Sequence, residues 1–432
     1  MATKAPVVAD EVATLGQRWY VLFVMMLVYT ISIADRYVLS TLLGPISKDL
    51  NLSDTGAASL GIPLALFYVT MGIPLSWLCD RTNRRNLLAA SVAVWSLMTA
   101  LTGFTRGYID LLLARVGVGV GEAGGTPACN SIIADYFPAD RRSMAMTIFA
   151  LGAPIGAWLG SDIAGYVSNL YGWHSAFFVL GIPGILLAIL IMVTIKEPKR
   201  GRLDAVVEEK APSVMETVRF LWSQKAAVHG MLGAGLSAFW GWGLMWFTPL
   251  FIQRTYGMDE GAAGSLLGEI YLVGGIAASL VTAYVVARPS FTNPRRIARL
   301  LAVVTAVATV PSFLAYYTYD LAVAKLMWWL FIPAIYFYIG PAMALCQNLA
   351  APRMRGMAIA ISLLIANVLN LIIAPAIVGG LSDYFAGPQG ADAESLRLAQ
   401  LILAPSGLWC AWHYWRAGKY IIEDQKRAVG YV

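Results

Sequence analysis

Charged residues are scarce in this chain. They make up 13% of its 432 residues, whereas soluble globular domains contain about 25%. Hydrophobic residues reach 58%, and apolar stretches of about 20 residues, each long enough to cross a bilayer, follow one another along almost the whole chain. So few charges are insufficient to solvate the surface of a soluble protein of this size. The composition therefore excludes a soluble domain and predicts a polytopic membrane protein.

Cysteine and histidine are also rare, with four and three residues. The cysteines lie in or beside apolar segments without C-x-x-C spacing, and the histidines lack ligand spacing, so neither a disulfide framework nor a metal site is expected. No G-x-x-x-x-G-K-[ST] motif is present, which removes support for an ATP-driven pump. No nucleophile–base constellation is visible either. We therefore expect no enzyme and no cofactor, with a proton gradient as the energy source.

One glycine-rich run does match a nucleotide motif. Gly119 to Gly124 reads G-x-G-x-x-G, but dinucleotide binding requires a preceding strand and a βαβ unit. Here the run lies inside a hydrophobic span. Close packing of helices through small residues is the better interpretation.

Hydropathy predicts an all-α polytopic membrane protein with twelve transmembrane helices. We expect two pseudo-symmetric six-helix bundles, residues 1–195 and 228–432, joined by a cytoplasmic linker at 196–227. The spans are expected at roughly 19–45, 57–80, 86–106, 108–135, 142–167, 174–195, 228–253, 261–287, 297–318, 322–349, 356–382 and 398–418.

The distribution of lysine and arginine tests this count independently. With twelve spans, 24 of the 31 basic residues fall in segments on one side of the membrane and five on the other. Arg36 and Arg115 fall within spans. The positive-inside rule then places both termini in the cytoplasm, and we expect an inner-membrane location.

The two predicted halves contain similar motifs at equivalent positions. Thr82-Asn83-Arg84-Arg85 follows the second span, and Thr292-Asn293-Pro294-Arg295-Arg296 follows the eighth. Repeats of this kind are typical of secondary transporters, whose binding site lies near the bilayer midplane between the halves.

These motifs resemble the major facilitator superfamily, whose signature D-R-x-[GN]-R-[RK] is matched by Asp80 to Arg85. A narrower resemblance is to spinster-type transporters, through Ala34-Asp35-Arg36, the run from Arg115 to Ala123, and Ala134-Asp135-Tyr136-Phe137-Pro138. Asp-Arg in the first span and Arg-x6-Glu-Ala in the fourth also resemble anion:cation symporters of sugar acids and related carboxylates. The superfamily resemblance implies the major facilitator fold and alternating access.

Charges within spans are costly and are commonly functional. Arg115 and Glu122 are seven residues apart, so they share a helix face, and the depth of Asp35 falls between theirs. We expect Asp35 to approach Arg115 within one polar cluster that includes Arg36. Asp35 and Glu122 are the candidate proton-coupling residues, and Arg36 and Arg115 are the candidates for binding an anionic substrate. The alternative is a permanently paired structural network.

Further substrate-binding candidates are aromatic or polar residues within spans. Trp240 and Trp246 belong to a run with glycines that suits the wall of an apolar cavity, although such residues also mark membrane interfaces or pack in cores. Tyr29, Thr126 and Asn367 are expected to add polar groups to the cavity.

The basic cytoplasmic loops contain candidate gate residues. Ion pairs there, between the halves or at helix ends, would close the inner gate and break as it opens. The alternative is that they only set membrane orientation. The candidates are Asp80, Arg81, Arg84, Arg85, Asp135, Arg141 and Arg142.

Together these features predict a proton-coupled secondary active transporter. The spinster resemblance implies an amphiphilic anionic solute such as a lysophospholipid or a sphingoid phosphate. Alternatives are a proton symporter of small organic acids, a drug/proton antiporter and, in a different class, a non-transporting receptor. The expected partners are the lipid bilayer, protons and the substrate, with no nucleic acid, and we expect a monomer.

Overall fold

The computed structural model describes residues 14–198, 213–388 and 390–429. Within these residues, twelve helical rods match the twelve predicted spans, and we number them helices 1 to 12. Their bounds are Leu15–Thr41; Asp54–Ser59 with Ile62–Arg81; Arg84–Thr102; Tyr108–Glu122 with Gly125–Tyr136; Ala139–Ala150, Gly152–Trp158 and Ala164–Tyr171; Trp173–Thr194; Lys225–Tyr256; Glu260–Glu269 with Gly275–Val286; Pro294–Tyr317; Leu321–Asn348; Arg355–Asn367 with Ala374–Phe385; and Ala393–Leu403 with Ser406–Val429.

The segment predicted as a linker contains a short helix, Val214–Trp222, which begins at a Ser213 N-cap. Its first-turn residues Val214 and Met215 are exposed, whereas Leu221 is buried. Residues 199–212 of the predicted linker lie outside the described residues.

The sequence echo between the halves has a local structural cause. The Asn83 side chain accepts a hydrogen bond from the backbone N–H of Asn86 at 2.9 Å and so caps helix 3. The Asn293 side chain accepts from the N–H of Arg295 at 2.9 Å and caps helix 9. An Asn N-cap satisfies backbone donors that a helix start leaves unpaired. Both copies of the motif therefore start the helix that follows the loop.

In the part of the chain that the structure describes, three helices contain a turn of π-helix in the middle of the membrane-spanning rod. These turns are Leu159–Ile163 in helix 5, Ile270–Gly274 in helix 8 and Val368–Ile373 in helix 11. Helix 4 is interrupted at Ala123 and Gly124, directly after Glu122. Such irregular turns often occur at functional sites, because they turn side chains and loosen backbone hydrogen bonding.

The bundle has two ends, which we name by their loops. The basic end carries residues 82–83, 287–293 and 349–354, and the far end carries residues 50–53, 257–259, 386–388 and 390–392. At the far end the two halves touch closely, since a Cβ on Gly165 of helix 5 would lie 2.4 Å from the Glu260 carbonyl oxygen of helix 8. A Cβ on Gly379 of helix 11 would likewise lie 2.5 Å from the Asp54 carbonyl oxygen. The halves are therefore closed against each other at the far end.

Candidate functional site

A cavity of about 210 Å³ lies between the two halves. Helices 1 and 5 line it from the N-terminal half, and helices 7, 10 and 11 line it from the C-terminal half. Towards the far end its lining is buried, with Ser40 only 6% and Met245 only 2% exposed. Towards the basic end, Ile339 and Leu363 are 39% and 45% exposed. The cavity is thus closed at the far end and opens towards the basic end.

One charged side chain among the described residues lines this cavity, and it is Arg36 of helix 1. Its Nε and Nη2 both donate to Oε2 of Glu122, at 3.0 and 2.7 Å. Its guanidinium carbon also lies 4.8 Å from the centroid of the Tyr68 ring. The Arg36 side chain is 21% exposed, whereas that of Glu122 is fully buried, and Oε1 of Glu122 has no hydrogen-bond partner among the described residues. The cation therefore faces the cavity with the carboxylate behind it.

A second ion pair lies deeper in the N-terminal half. Nη1 of Arg115 donates to Oδ2 of Asp35 at 3.0 Å, and the Thr99 hydroxyl donates to Oδ1 of the same carboxylate. Asp35 and Arg115 are 2% and 1% exposed. The predicted approach of Asp35 to Arg115 is confirmed. Arg115, a predicted substrate-binding residue, does not line the cavity in this conformation, because its guanidinium is enclosed against Asp35. Its role in substrate binding stays a prediction.

Small residues bring the helices of this site together. A Cβ on Gly119 of helix 4 would lie 2.5 Å from the Leu64 carbonyl oxygen of helix 2, and one on Gly121 would lie 2.6 Å from the Trp95 nitrogen of helix 3. The interpretation of the glycine-rich run as a packing motif is confirmed. On helix 5, a Cβ on Gly160 would lie 2.3 Å from the Ala34 carbonyl oxygen. These close approaches hold helices 1 and 4 in place, so that the two ion pairs can form.

The aromatic wall of the cavity comes from Trp242 and Trp246 of helix 7, facing Tyr336 and Tyr338 of helix 10. Predicted Trp246 is in this wall, but predicted Trp240 is not. Trp240 is 1% exposed, packs against Phe331 and donates its Nε1–H to the Ser312 hydroxyl at 3.2 Å. Two residues correspond to about 200° around a helix, so Trp240 and Trp242 must point in nearly opposite directions.

The other predicted polar residues divide between two places. Asn367 of helix 11 lines the main cavity. Thr126 does not, and instead lines a separate hollow of about 10 Å³, together with Ser32 and Glu122. Tyr29 lines both. The hollow has the size of a single water molecule, so Thr126 is placed near the Glu122 carboxylate rather than near a substrate.

The predicted gate residues lie at the basic end, where the structure pairs them within the N-terminal half. Arg84 is 1% exposed, and its guanidinium contacts the carboxylates of Asp135 and Glu197. The Arg85 backbone N–H also donates to Glu197 at 2.9 Å. These contacts fit the prediction of ion pairs at helix ends, whereas no pair of these residues between the halves occurs in the described part of the chain.

The remaining gate candidates have separate surroundings. The guanidinium of Arg81 lies 4.2 Å from the centroid of the Trp77 ring, and that of Arg142 donates to the Ala134 carbonyl at 2.8 Å. Asp80 is exposed and has no ion pair within the described residues. Arg141 lies in the first turns of helix 5 and is exposed. The role of these residues as a gate therefore stays a prediction.

Within the described residues, a charged contact between the halves lies at the far end, and it was missed from the sequence. Arg254 of helix 7 donates to both carboxylate oxygens of Asp54 in helix 2, at 2.7 and 2.8 Å. Ser382 of helix 11 donates to the same carboxylate at 2.6 Å. Asp383 accepts from the backbone N–H groups of Asp54 and Thr55 at 3.0 and 2.9 Å. One signal was available, since Arg254 is among the few basic residues that break the charge asymmetry.

Comparison with known proteins identifies the family to which this architecture belongs. A model of the Major Facilitator Superfamily matches residues 25–415. This chain belongs to the major facilitator superfamily. The predicted fold class, with twelve helices in two six-helix bundles, is thereby confirmed, and the protein is a membrane transporter rather than an enzyme.

Three superfamily members that are similar to this transporter carry different names. It is 29% identical over 424 residues to an MFS-type efflux pump of Mycolicibacterium smegmatis, covering 95% of this chain and 96% of the relative. It is 25% identical over 431 residues to the protein spinster homolog 1 of Xenopus tropicalis, covering 94% and 82%. A probable galactarate/D-glucarate transporter of Bacillus subtilis is 33% identical over 189 residues, 42% of each chain.

The solved structures support the spinster resemblance. A bacterial homologue of the human lysosomal transporter spinster, in an inward-facing and unoccupied conformation, superposes with a TM-score of 0.83 at 27% identity. That match covers 95% of this transporter and 99% of the other chain. The occupied inward-facing form of the bacterial homologue gives a TM-score of 0.79.

Proposed function

We propose that this transporter couples proton movement to the transport of an amphiphilic anionic solute, such as a lysophospholipid or a sphingoid phosphate, by alternating access. The observation that carries the proposal is the two-sided composition of the central cavity. Arg36 presents a cation on one side, and Trp242, Trp246 and Tyr336 form an aromatic wall on the other. An anionic head group with an apolar tail has the complementary composition.

Competition for Arg36 gives a physical route to coupling. Arg36 is held by a single oxygen of Glu122, and an incoming anion would share or replace that contact. A buried carboxylate that loses its cation is costly to keep ionised, so Glu122 would then take up a proton. Anion binding and proton binding would thus favour each other, as symport requires.

Asp35 is proposed as the second proton-coupling residue. Its carboxylate is enclosed with Arg115 and Thr99 on helices 4 and 3. Protonation would weaken its pairing with Arg115 and so loosen the contact between helices 1 and 4. A change of that kind would connect the state of the proton site to the position of helix 1, which lines the cavity.

A small organic acid is the second candidate substrate. The small cavity volume of about 210 Å³ and the similarity to a probable galactarate/D-glucarate transporter favour it. Against it stands the cavity lining, which offers few polar groups such as Ser40, Asn367 and Asn370 among mostly apolar and aromatic side chains. A polyhydroxylated acid would leave hydroxyl groups without partners there, and each unpaired buried group costs about 1–3 kcal/mol. We therefore favour the amphiphilic anion.

The test is transport into proteoliposomes that contain an internal pH dye. The wild-type protein should show movement of a lysophospholipid or sphingoid phosphate together with protons, and a weaker response to sugar acids. Glu122→Gln and Asp35→Asn should abolish accumulation driven by a pH gradient while retaining downhill exchange. Arg36→Gln should instead impair binding of the anion itself.

Two outcomes would contradict the proposal. Full proton-driven accumulation by both acid variants would show that the buried pairs are structural. Stronger proton-linked transport of a sugar acid than of any lysolipid would favour the second candidate. The charge-conserving variant Arg36→Lys serves as control, because it keeps a cation at the cavity wall but loses the two-donor contact with Glu122.

We further propose that the basic end faces the cytoplasm, since the predicted spans assign 24 of the 31 lysine and arginine residues to segments on that side. A cysteine introduced at exposed Lys48, at the far end, should then react in intact cells with a membrane-impermeant thiol reagent. Cysteine at Arg141 should react only after the cells are opened, and the reverse pattern would refute this orientation.

A further inference from the structure

A group of cations surrounds one exposed aromatic surface at the basic end of the C-terminal half. The Arg416 guanidinium carbon lies 5.7 Å from the centroid of the Trp412 ring and 5.4 Å from that of the Tyr420 ring. The Lys225 ammonium group lies 5.3 Å from the same Tyr420 ring. Arg299 of helix 9 lies 5.5 Å from the Trp415 ring. We name Lys225, Arg299 and Arg416 the helix 12 cation cluster.

Close packing of helix 12 against helix 9 brings the cluster together. A Cβ on Gly418 would lie 3.3 Å from Cβ of Ala298 and 3.8 Å from Cγ of Arg299, so the Arg299 side chain runs alongside helix 12. Arg295, one turn earlier on helix 9, donates its Nε–H to the Gly418 carbonyl at 3.0 Å. A fourth cation therefore borders the same surface.

Among the described residues, none of the three members of the helix 12 cation cluster forms an ion pair with a carboxylate. The acids that follow on helix 12 make other contacts: Asp424 accepts the backbone N–H of Ala226 at 2.7 Å, and both Glu423 and Asp424 lie 3.9 Å from Arg427. Like charges held near one another repel, and such an arrangement is stabilised when an anion lies between them.

One polar atom of the cluster is both buried and unsatisfied. Nε of Arg416 has no hydrogen-bond partner among the described residues, while its Nη2 donates to the Tyr420 hydroxyl at 3.1 Å. A buried donor without an acceptor costs about 1–3 kcal/mol. Arg416 as a whole is only partly buried, so the outer edge of its guanidinium is open to a phosphate oxygen.

The aromatic members of the surface face lipid. Trp412 and Trp415 are 49% and 54% exposed, and Leu408 and Trp409, nearer the bilayer centre on helix 12, are 55% and 56% exposed. Tryptophan at this depth is typical of the membrane interface, with cations reaching the head groups above it. Acyl chains can lie against the apolar side chains while a phosphate meets the cations.

We propose that the helix 12 cation cluster binds the phosphate of an anionic membrane phospholipid. The site lies on the outer surface of helices 7, 9 and 12, separate from the central cavity, and does not depend on the proposed substrate. Anionic lipids are concentrated in the cytoplasmic leaflet, which the positive-inside rule places at this end.

Native mass spectrometry of the purified transporter, with phosphatidylglycerol or phosphatidylcholine added, tests the site. The wild-type protein should retain phosphatidylglycerol preferentially. Each of Arg299→Gln and Arg416→Gln should reduce that retention about fivefold, the contribution of one cation near a membrane surface. Arg299→Lys and Arg416→Lys should restore most of it. Equal retention of the two lipids by the wild-type protein would overturn the proposal.

Arg288→Gln is the matched control. Arg288 lies 4.5 Å from the Tyr284 ring at the same end and donates to the Tyr284 hydroxyl, but no second cation is recorded against that ring in the described chain. This variant should retain phosphatidylglycerol as the wild-type protein does. If Arg288→Gln lost as much phosphatidylglycerol as Arg416→Gln does, the retention would depend on general surface charge, and the proposal of a specific site would be wrong.

A thermal unfolding measurement on the wild-type protein tests the site without relying on variants that fold poorly. It also distinguishes binding of a lipid from binding of a soluble phosphate. Phosphatidylglycerol should raise the thermal unfolding midpoint of the wild-type protein more than phosphatidylcholine does, and glycerol phosphate should give no comparable rise. If glycerol phosphate alone reproduced the rise and displaced the lipid, the cluster would be a site for a soluble anion, against the proposal.

Discussion

The ion pair between Asp54 and Arg254 should control which end of the transporter is open. It joins helix 2 of one half to helix 7 of the other at the far end, where the halves are closed. Opening the far end must separate these two side chains. The change Asp54→Asn removes the charge but keeps the shape and the oxygen that Ser382 contacts. It should therefore weaken the closed arrangement selectively and favour the state that is open at the far end.

The size of the effect follows from the geometry. Arg254 makes two charge-assisted hydrogen bonds of 2.7 and 2.8 Å, and bonds of this kind contribute about 1.5–3 kcal/mol. The Asp54 side chain is 1% exposed, but that of Arg254 is 21% exposed and keeps some solvent screening. We therefore take about 1.5–2 kcal/mol, which changes the ratio of the two conformations about 10- to 30-fold.

Distances between spin labels can measure this shift. Lys48 in the N-terminal half and Tyr384 in the C-terminal half are both exposed at the far end, so cysteines there should accept labels. The four native cysteines are buried, which limits background labelling. In the wild-type background one short distance should dominate, and Asp54→Asn should add a population at longer distance.

A neighbouring ion pair provides the control. Arg397 donates to Glu394 at 2.7 and 2.8 Å at the same end, but both residues belong to helix 12 and connect nothing across the halves. Glu394→Gln should leave the distance distribution unchanged. If Asp54→Asn also left it unchanged, or if both variants broadened it equally, the pair would have no role in closing the far end.

Two further predictions concern residues whose surroundings the structure redefined. Trp246→Ala should reduce transport of an amphiphilic substrate much more than transport of a small acid. Trp240→Ala should instead lower the unfolding temperature, through a loss of about 3–5 kcal/mol in stability, without changing the substrate preference. Equal changes in preference by the two variants would argue against the proposed aromatic wall. Arg84→Gln should destabilise the N-terminal half by about 3–5 kcal/mol, because it removes the buried cation that contacts the carboxylates of Asp135 and Glu197. Arg85→Gln, whose side chain contacts Asn86 and the Ile195 carbonyl, should cost far less in the same thermal unfolding measurement.

Helix register explains which site residues could be anticipated. Arg115 and Glu122 share a face because seven residues make nearly two turns, and counting from the span ends placed Asp35 at a matching depth. The structure then shows Asp35 against Arg115 and Arg36 against Glu122. Which arginine faces the cavity was left open, since register within one helix does not give the rotation of that helix against its neighbours.

The sequence alone determined the number of helices, the two-fold repeat and the family resemblance, because span length, the Asn caps of helices 3 and 9 and the loop charges are local properties of the chain. Tertiary structure decided the rest. Trp242, and not the predicted Trp240, lines the cavity. Arg254 forms an ion pair with Asp54, which is 200 residues away in the sequence. Both results depend on the rotation of each helix against its neighbours. That rotation is set by close contacts such as that of Gly160 with Ala34, and these contacts leave no periodic signal in the sequence.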